Sequence, residues 1–173
     1  MKNRTHGSEG MPLIECINPR IHKYRVRWGF LPNTDNEGNP KGVTFLEAEF
    51  LHKPTIQEIK DTILAWMNSE IDEQILSGFE WNGMKVWLSS ENQFNYKAAY
   101  DLAVQTNGAN LPVVFKFGTT ENPTYYTFTS IEELQGFYVS AMNYINLVLN
   151  EGWARKDAMD WSEYEKSLNK QIQ

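Results

Sequence analysis

The sequence predicts an α+β fold: an antiparallel sheet built from three successive hairpin-helix (ββα) units, with helices packed on one face. Three observations predict it. Short runs that alternate apolar and polar residues come in pairs separated by turn formers. Each pair is followed by apolar residues at helical spacing. Two of those helical runs open on a Ser or Thr with Glu three residues later, at Thr55 with Glu58 and at Ser130 with Glu133.

Residues 1–20 are polar, Gly-containing and aperiodic, and are expected to form an extended N-terminal arm outside the core. Over residues 21–28, His22, Tyr24, Val26 and Trp28 alternate with Lys23, Arg25 and Arg27, the period-two sign of a half-buried strand. Residues 31–42 are dense in turn formers. A second strand over 43–51 puts Leu46, Ala48 and Phe50 on one face and Glu47 and Glu49 on the other. After the Thr55 and Glu58 capping box, Ile56, Ile59, Ile63, Met67 and Ile71 form one apolar helical stripe, which Ser77 and Gly78 close.

In the central unit, Asn82 and Gly83 take positive φ at little cost and favour a tight hairpin turn. Its helix is expected to begin at Asn95 as the cap, to pack through Ala98, Ala99, Leu102 and Ala103, and to end at Asn107 and Gly108. In the third unit, Val113, Phe115 and Phe117 alternate with Val114 and Lys116, residues 118–123 turn the chain, and residues 124–128 return. The helix after Ser130 carries a broad apolar face that includes Leu134, Phe137, Ala141, Ile145 and Val148, and Gly152 is expected to stop it. Gly136 inside that helix costs ~1 kcal/mol against Ala, which points to a close helix–sheet approach there. Residues 153–173 read as a short amphipathic helix.

At 173 residues the chain has material for a real core, and 41% apolar with 22% charged residues is the composition of a globular protein. Aromatics reach 13% and include six Trp, residues that serve cores and protein interfaces alike, so a subunit of an assembly fits as well as a lone globule. A net charge of −6 argues against nucleic acid as a partner. The single Cys16 rules out an internal disulfide framework and a Cys-rich metal site. The first ten residues lack an apolar h-region, so no secretory leader is expected, and no apolar run is long enough for a membrane span.

Few constellations invite chemistry. The loop from Asn33 through Asp35 and Glu37 to Gly38 mimics the start of a calcium loop, but Thr44 stands where a bidentate Glu belongs, so it reads as a solvated turn. His6, His22 and His52 lack metal-ligand spacing. Asp157, Asp160, Glu163 and Glu165 make an acidic patch of the kind a solvated helix face carries. The row Lys23, Arg25 and Arg27 could grip an anion; the favoured alternative is that Glu47 and Glu49 oppose it across the hairpin. No cofactor, metal or catalytic residue is assigned, and no small-molecule substrate is expected.

One stretch carries a family resemblance. Its residues are Phe79, Glu80, Trp81, Asn82 and Gly83, then Ser89 to Asn95 before an alanine-rich helix. The apolar strand over 111–117, the trio Tyr126, Thr127 and Phe128, and Ser130 to Leu134 before a long helix complete it. Over about residues 78–158 the chain resembles a phage-encoded domain of unknown function found in tail and tail-fibre-assembly proteins. The resemblance implies a non-enzymatic structural or accessory protein of a tailed bacteriophage particle (tail, neck or fibre). Such a protein would be made in the bacterial host cytoplasm, carried in the virion, and joined to other phage structural proteins or to itself in a symmetric assembly. The alternatives are a tail-fibre assembly chaperone absent from the finished virion, or a small enzyme with an unrecognised carboxylate site.

The expected organisation is therefore an arm over 1–20, an α+β domain over 21–152 and an amphipathic tail over 153–173. Within the domain, 21–77 is the first ββα unit and 78–152 the phage-type ββαββα region. The three units already hold enough apolar residues to close a core. Aromatic and aliphatic residues beyond them, Leu13, Ile14 and Ile17 at one end and Trp153, Trp161 and Tyr164 at the other, are the candidate partner contacts.

Overall fold

Alternation and capping place most elements where they form. The computed structural model describes residues 4–170, a mixed α+β arrangement of antiparallel strands and four α-helices. The chain divides into two compact units, residues 4–67 with 158–170, and residues 68–157.

The first unit is built on one long hairpin, β3 (Lys23–Thr34) and β4 (Pro40–Phe50), joined antiparallel. The predicted turn over 31–42 is mostly strand, and only residues 35–39 reverse the chain. Asp35 Oδ1 accepts hydrogen bonds from the N–H groups of Glu37 and Asn39, both at 2.9 Å, which fixes that tip. A bulge interrupts the ladder, with Trp28 opposite Leu46 but Leu31 opposite Thr44. Gly29 sits in it at φ 61, the positive-φ position such a bulge requires.

A lone hairpin has two open edges, each a row of unpaired N–H and C=O groups. Here β1 (Thr5–Gly7) pairs with β4 and β2 (Ile14–Asn18) pairs with β3, giving the order β1-β4-β3-β2. The expected N-terminal arm is therefore corrected: these residues supply both edge strands, and Ile14 is fully buried. One face of the sheet presents Tyr24, Val26, Trp28 and Leu46 to Ile59, Ile63 and Met67 of α1 (Ile56–Ser77) and to Tyr164 of α4 (Ser162–Lys170). Burial of Ile14 and Tyr164 in this core ties β2 and α4 to the first unit. The parts of the predicted arm and tail at 1–3 and 171–173 lie outside the described residues.

The second unit takes the last turns of α1 and then β5 (Phe79–Trp81), β6 (Met84–Val86), α2 (Ser90–Gln105), β7 (Val113–Gly118), β8 (Pro123–Phe128) and α3 (Ile131–Asp157). The order repeats hairpin and helix as expected, but β5-β6 and β7-β8 remain separate two-stranded sheets rather than one. What joins them is aromatic packing. Phe137 of α3 lies 5.0 Å from Tyr96, 5.1 Å from Phe128, 5.3 Å from Phe117 and 5.5 Å from Trp81, centroid to centroid. The end of α1 belongs here because Tyr144 Oη donates to Gln74 O at 2.8 Å and Leu88 N donates to Leu76 O at 3.0 Å. This moves the expected boundary at 77/78 back to 67/68.

Two helix ends also differ from expectation. Ser89, not Asn95, caps α2: its Oγ accepts from Asn92 N at 3.2 Å. Helix α3 runs through Gly152 to Asp157, so residues 153–157 belong to it. The glycine is there for packing, since a Cβ would collide with Ile71 Cδ1 and come within 2.6 Å of Ile71 Cγ1. Gly136 shows no such closeness; a Cβ there would lie 3.7 Å from Trp81, an ordinary contact.

Candidate interaction surfaces

The basic row was the strongest sequence candidate for an anion site, and the sheet register settles its role. Arg25 stands opposite Glu49, Arg27 opposite Glu47, and Glu15 of β2 opposite Arg25. Lys23 meets Glu49 at 2.6 Å and Arg25 meets it at 2.8 Å; Arg25 reaches Glu47 at 3.3 Å. Arg27 meets Glu15 at 2.6 Å and Glu47 at 3.5 Å. The opposed-charge reading is the one the structure holds. Hydrogen bonds from Arg25 and Lys23 keep the Glu49 carboxyl below its usual range.

Arg27 goes further than a hairpin pair. It is 1% exposed, although its neighbours in the row are half-buried. The cause is topological. Strands β1 and β2 lie on opposite edges, so residues 8–13 must cross the charged face of the hairpin between them. The crossing lays Pro12 O 3.1 Å from Arg27 Nη1, and the guanidinium sits 5.4 Å from the Phe45 ring centre. Gly7 makes room for it, since a Cβ there would collide with Met11 Sδ and lie 2.7 Å from Phe45 Cε1. The row is structural.

The remaining polar candidates are likewise occupied locally. Asp35 serves its turn, and those hydrogen bonds lower its pKa. Glu58 accepts from Thr55 N at 2.7 Å and lies 2.8 Å from His52 Nε2; the Thr55 bonds, with a smaller share from His52, pull it down to about 2. Asp160 accepts from Ser162 N at 3.0 Å at the start of α4, and Glu163 pairs with Lys166 at 2.6 Å. Among the described residues no group of three or more His, Cys, Asp or Glu is placed to hold a metal ion, and no helix is long and apolar enough to cross a membrane.

Of the six candidate contact residues, the structure keeps one fully at the surface. Ile14 and Tyr164 lie in the first unit's core, a correction to their expected role. Tyr164 Oη donates to Arg27 O at 3.1 Å, and burial pushes its pKa up to about 12. Leu13 and Trp161 are half-buried against the same core, and Lys60 Nζ stands 5.7 Å from the Trp161 ring centre. Ile17 is half-buried on β2. Trp153 projects from α3 with 54% of its surface open.

The second unit exposes large apolar side chains that sequence reasoning missed. On the outer face of β7 and β8, Val114 pairs with Thr127 and Lys116 with Tyr125, and both Val114 and Tyr125 are open to solvent. Trp87, between β6 and α2, is half open beside Lys116 and residues 117–120, its carbonyl held by Asn92 Nδ2 at 2.9 Å. On α2, Phe94 is 70% exposed and Leu102 48% exposed. The expected packing face is corrected here: Ala98 and Leu102 are exposed, and α2 packs through Tyr96 and Ala103 instead. Counted from Ser89, residues 94, 98 and 102 fall four apart and opposite the buried Tyr96 and Ala103. Counted from Asn95, Phe94 falls before the helix.

The first unit is a four-stranded sheet closed by helices, and the second is two hairpin–helix pairs with aromatic side chains open on their outer faces. The chain matches the family described as a domain of unknown function (DUF4376) over residues 58–170, more than half its length, and it belongs to that family. No curated protein and no solved structure matches it.

Proposed function

We propose that the chain is a non-enzymatic structural or accessory protein of a tailed bacteriophage particle, acting through protein–protein contacts and carried in the virion. The observation that supports contact as its work is the set of large apolar side chains held open on ordered elements of the family region. Phe94 and Leu102 stand on α2, Trp153 on α3, and Val114 and Tyr125 on one hairpin face. Trp and Tyr on rigid backbone are the usual anchors of interfaces, because they bury much area and lose little rotamer freedom. The carboxylates with lowered pKa, Asp35, Glu49, Glu58 and Asp160, fit the same reading, since each is engaged in a turn, a cap or an ion pair. The phage setting rests on the resemblance over residues 78–158.

Quantitative mass spectrometry of gradient-purified particles tests the proposal. Peptides of this chain are expected at a fixed whole-number ratio to the tail proteins. Abundant peptides in the infected-cell lysate with none in the particle would overturn it in favour of an assembly chaperone.

A further inference from the structure

The open face of α2 has a pattern that reads the same in both directions. Around Ala98, Phe94 and Leu102 lie four residues to either side, Asn95 and Asp101 three, and Glu91 and Gln105 seven. All lie on the helix face opposite Tyr96 and Ala103, the residues with which α2 packs into its own core. Lys97 is taken by an ion pair with Asp101 one turn on, so the stripe itself is apolar at its centre and uncharged over most of its length.

We infer that this face binds a second copy of the same chain, the two α2 helices crossing antiparallel on a two-fold axis at Ala98. A two-fold contact needs one patch that is complementary to itself, with residue i meeting j and j meeting i. Here Phe94 meets the second copy's Leu102 on both sides of the axis. Glu91 meets Gln105 and Asn95 meets Asp101, each a carboxylate facing a side-chain amide. No like charges oppose one another. A parallel pairing would set Glu91 against Glu91 and Asp101 against Asp101, which is why the antiparallel one is chosen. Ala98 at the crossing lets the helices come to about 8–10 Å. The contact is one helix wide, below the area of a standard stable interface, so a weak reversible dimer is expected. The inference does not depend on the particle proposal, since a monomeric chain could still be a virion component.

Sedimentation equilibrium of the full chain tests it. The wild type is expected to self-associate reversibly, and Phe94→Lys or Leu102→Glu should each weaken that by about tenfold or more. The double variant should regain association, because each Lys then faces a Glu of the other copy across the axis. In a Cys16→Ser background, Ala98→Cys should cross-link on mild oxidation. Gln105→Cys should not, because the two copies of that residue would stand about 21 Å apart. A chain that stays monomeric at all concentrations overturns the inference, as does a dimer that Phe94→Lys leaves intact. A double variant no better than the singles, together with no cross-link at position 98, does the same.

Discussion

A guanidinium with almost no exposure is tolerated only when carboxylates and carbonyls replace the water it has lost. Arg27 has Glu15 at 2.6 Å, Glu47 at 3.5 Å and Pro12 O at 3.1 Å. Removing it takes the ion pair from Glu15, leaves Glu47 with Arg25 alone, and opens a void beneath the crossing segment. Arg27→Ala should therefore cost about 1–3 kcal/mol in a urea melt, the loss of charge-assisted hydrogen bonds and packing. Lys23→Ala, at the open end of the same row, should cost under about 1 kcal/mol. Glu58 makes a second test at this scale. Its pKa is lowered from an ordinary 4.5 to about 2, chiefly by Thr55 and then by His52. A depressed carboxyl contributes stability that is present above its unfolded value and lost as pH falls through its folded one. Glu58→Gln should thus be less stable than the wild type at neutral pH, and the gap should close between about pH 4.5 and 2. Thermal melts across that range check it.

At the scale of elements, two glycines in one helix separate propensity from packing. In a helix interior Gly→Ala gains about 1 kcal/mol. At Gly136 the new methyl would meet only Trp81 at 3.7 Å, so Gly136→Ala should raise stability by about that amount. At Gly152 the methyl would overlap Ile71, and Gly152→Ala should lower stability despite the same propensity gain. Equal shifts for both variants would contradict this account of the α1–α3 contact. The same pair shows what was legible in the sequence. The Thr55 and Glu58 capping box, the Glu133 N–H bond to Ser130 and the Arg–Glu register across β3 and β4 are settled by residues close in sequence or by alternation, and each could be read. The role of Gly152 is set by a side chain on another helix, and no local pattern carries it. Both Ser89 and Asn95 are good caps by residue type, and the bond from Asn92 N to Ser89 Oγ decides for Ser89.

At the scale of the whole chain, the aromatic-rich composition fits cores and surfaces alike and does not say which aromatics stay open. Apolar residues sufficient to close three hairpin–helix cores make terminal aromatics the natural contact candidates in the sequence. The structure reverses that reading for the first unit, whose sheet needs β1 and β2 at its edges and whose core needs Tyr164. The open aromatic faces lie instead on the family region, on elements whose inner faces are already buried. The central structural claim is that β2 and α4 complete the first unit's core, and removing α4 tests it most directly. A chain ending at residue 157 loses α4, and with it Tyr164 and the half-buried Trp161 and Leu168. Loss of one buried aromatic costs about 3–5 kcal/mol, and about 2–4 °C accompanies each kcal/mol at this size. Thermal melting followed by near-UV circular dichroism should show a midpoint lower by about 10 °C or more, or no native signal from the first unit at all. A melting curve that superimposes on that of the full chain would contradict the account and restore the C-terminal segment as a free contact arm.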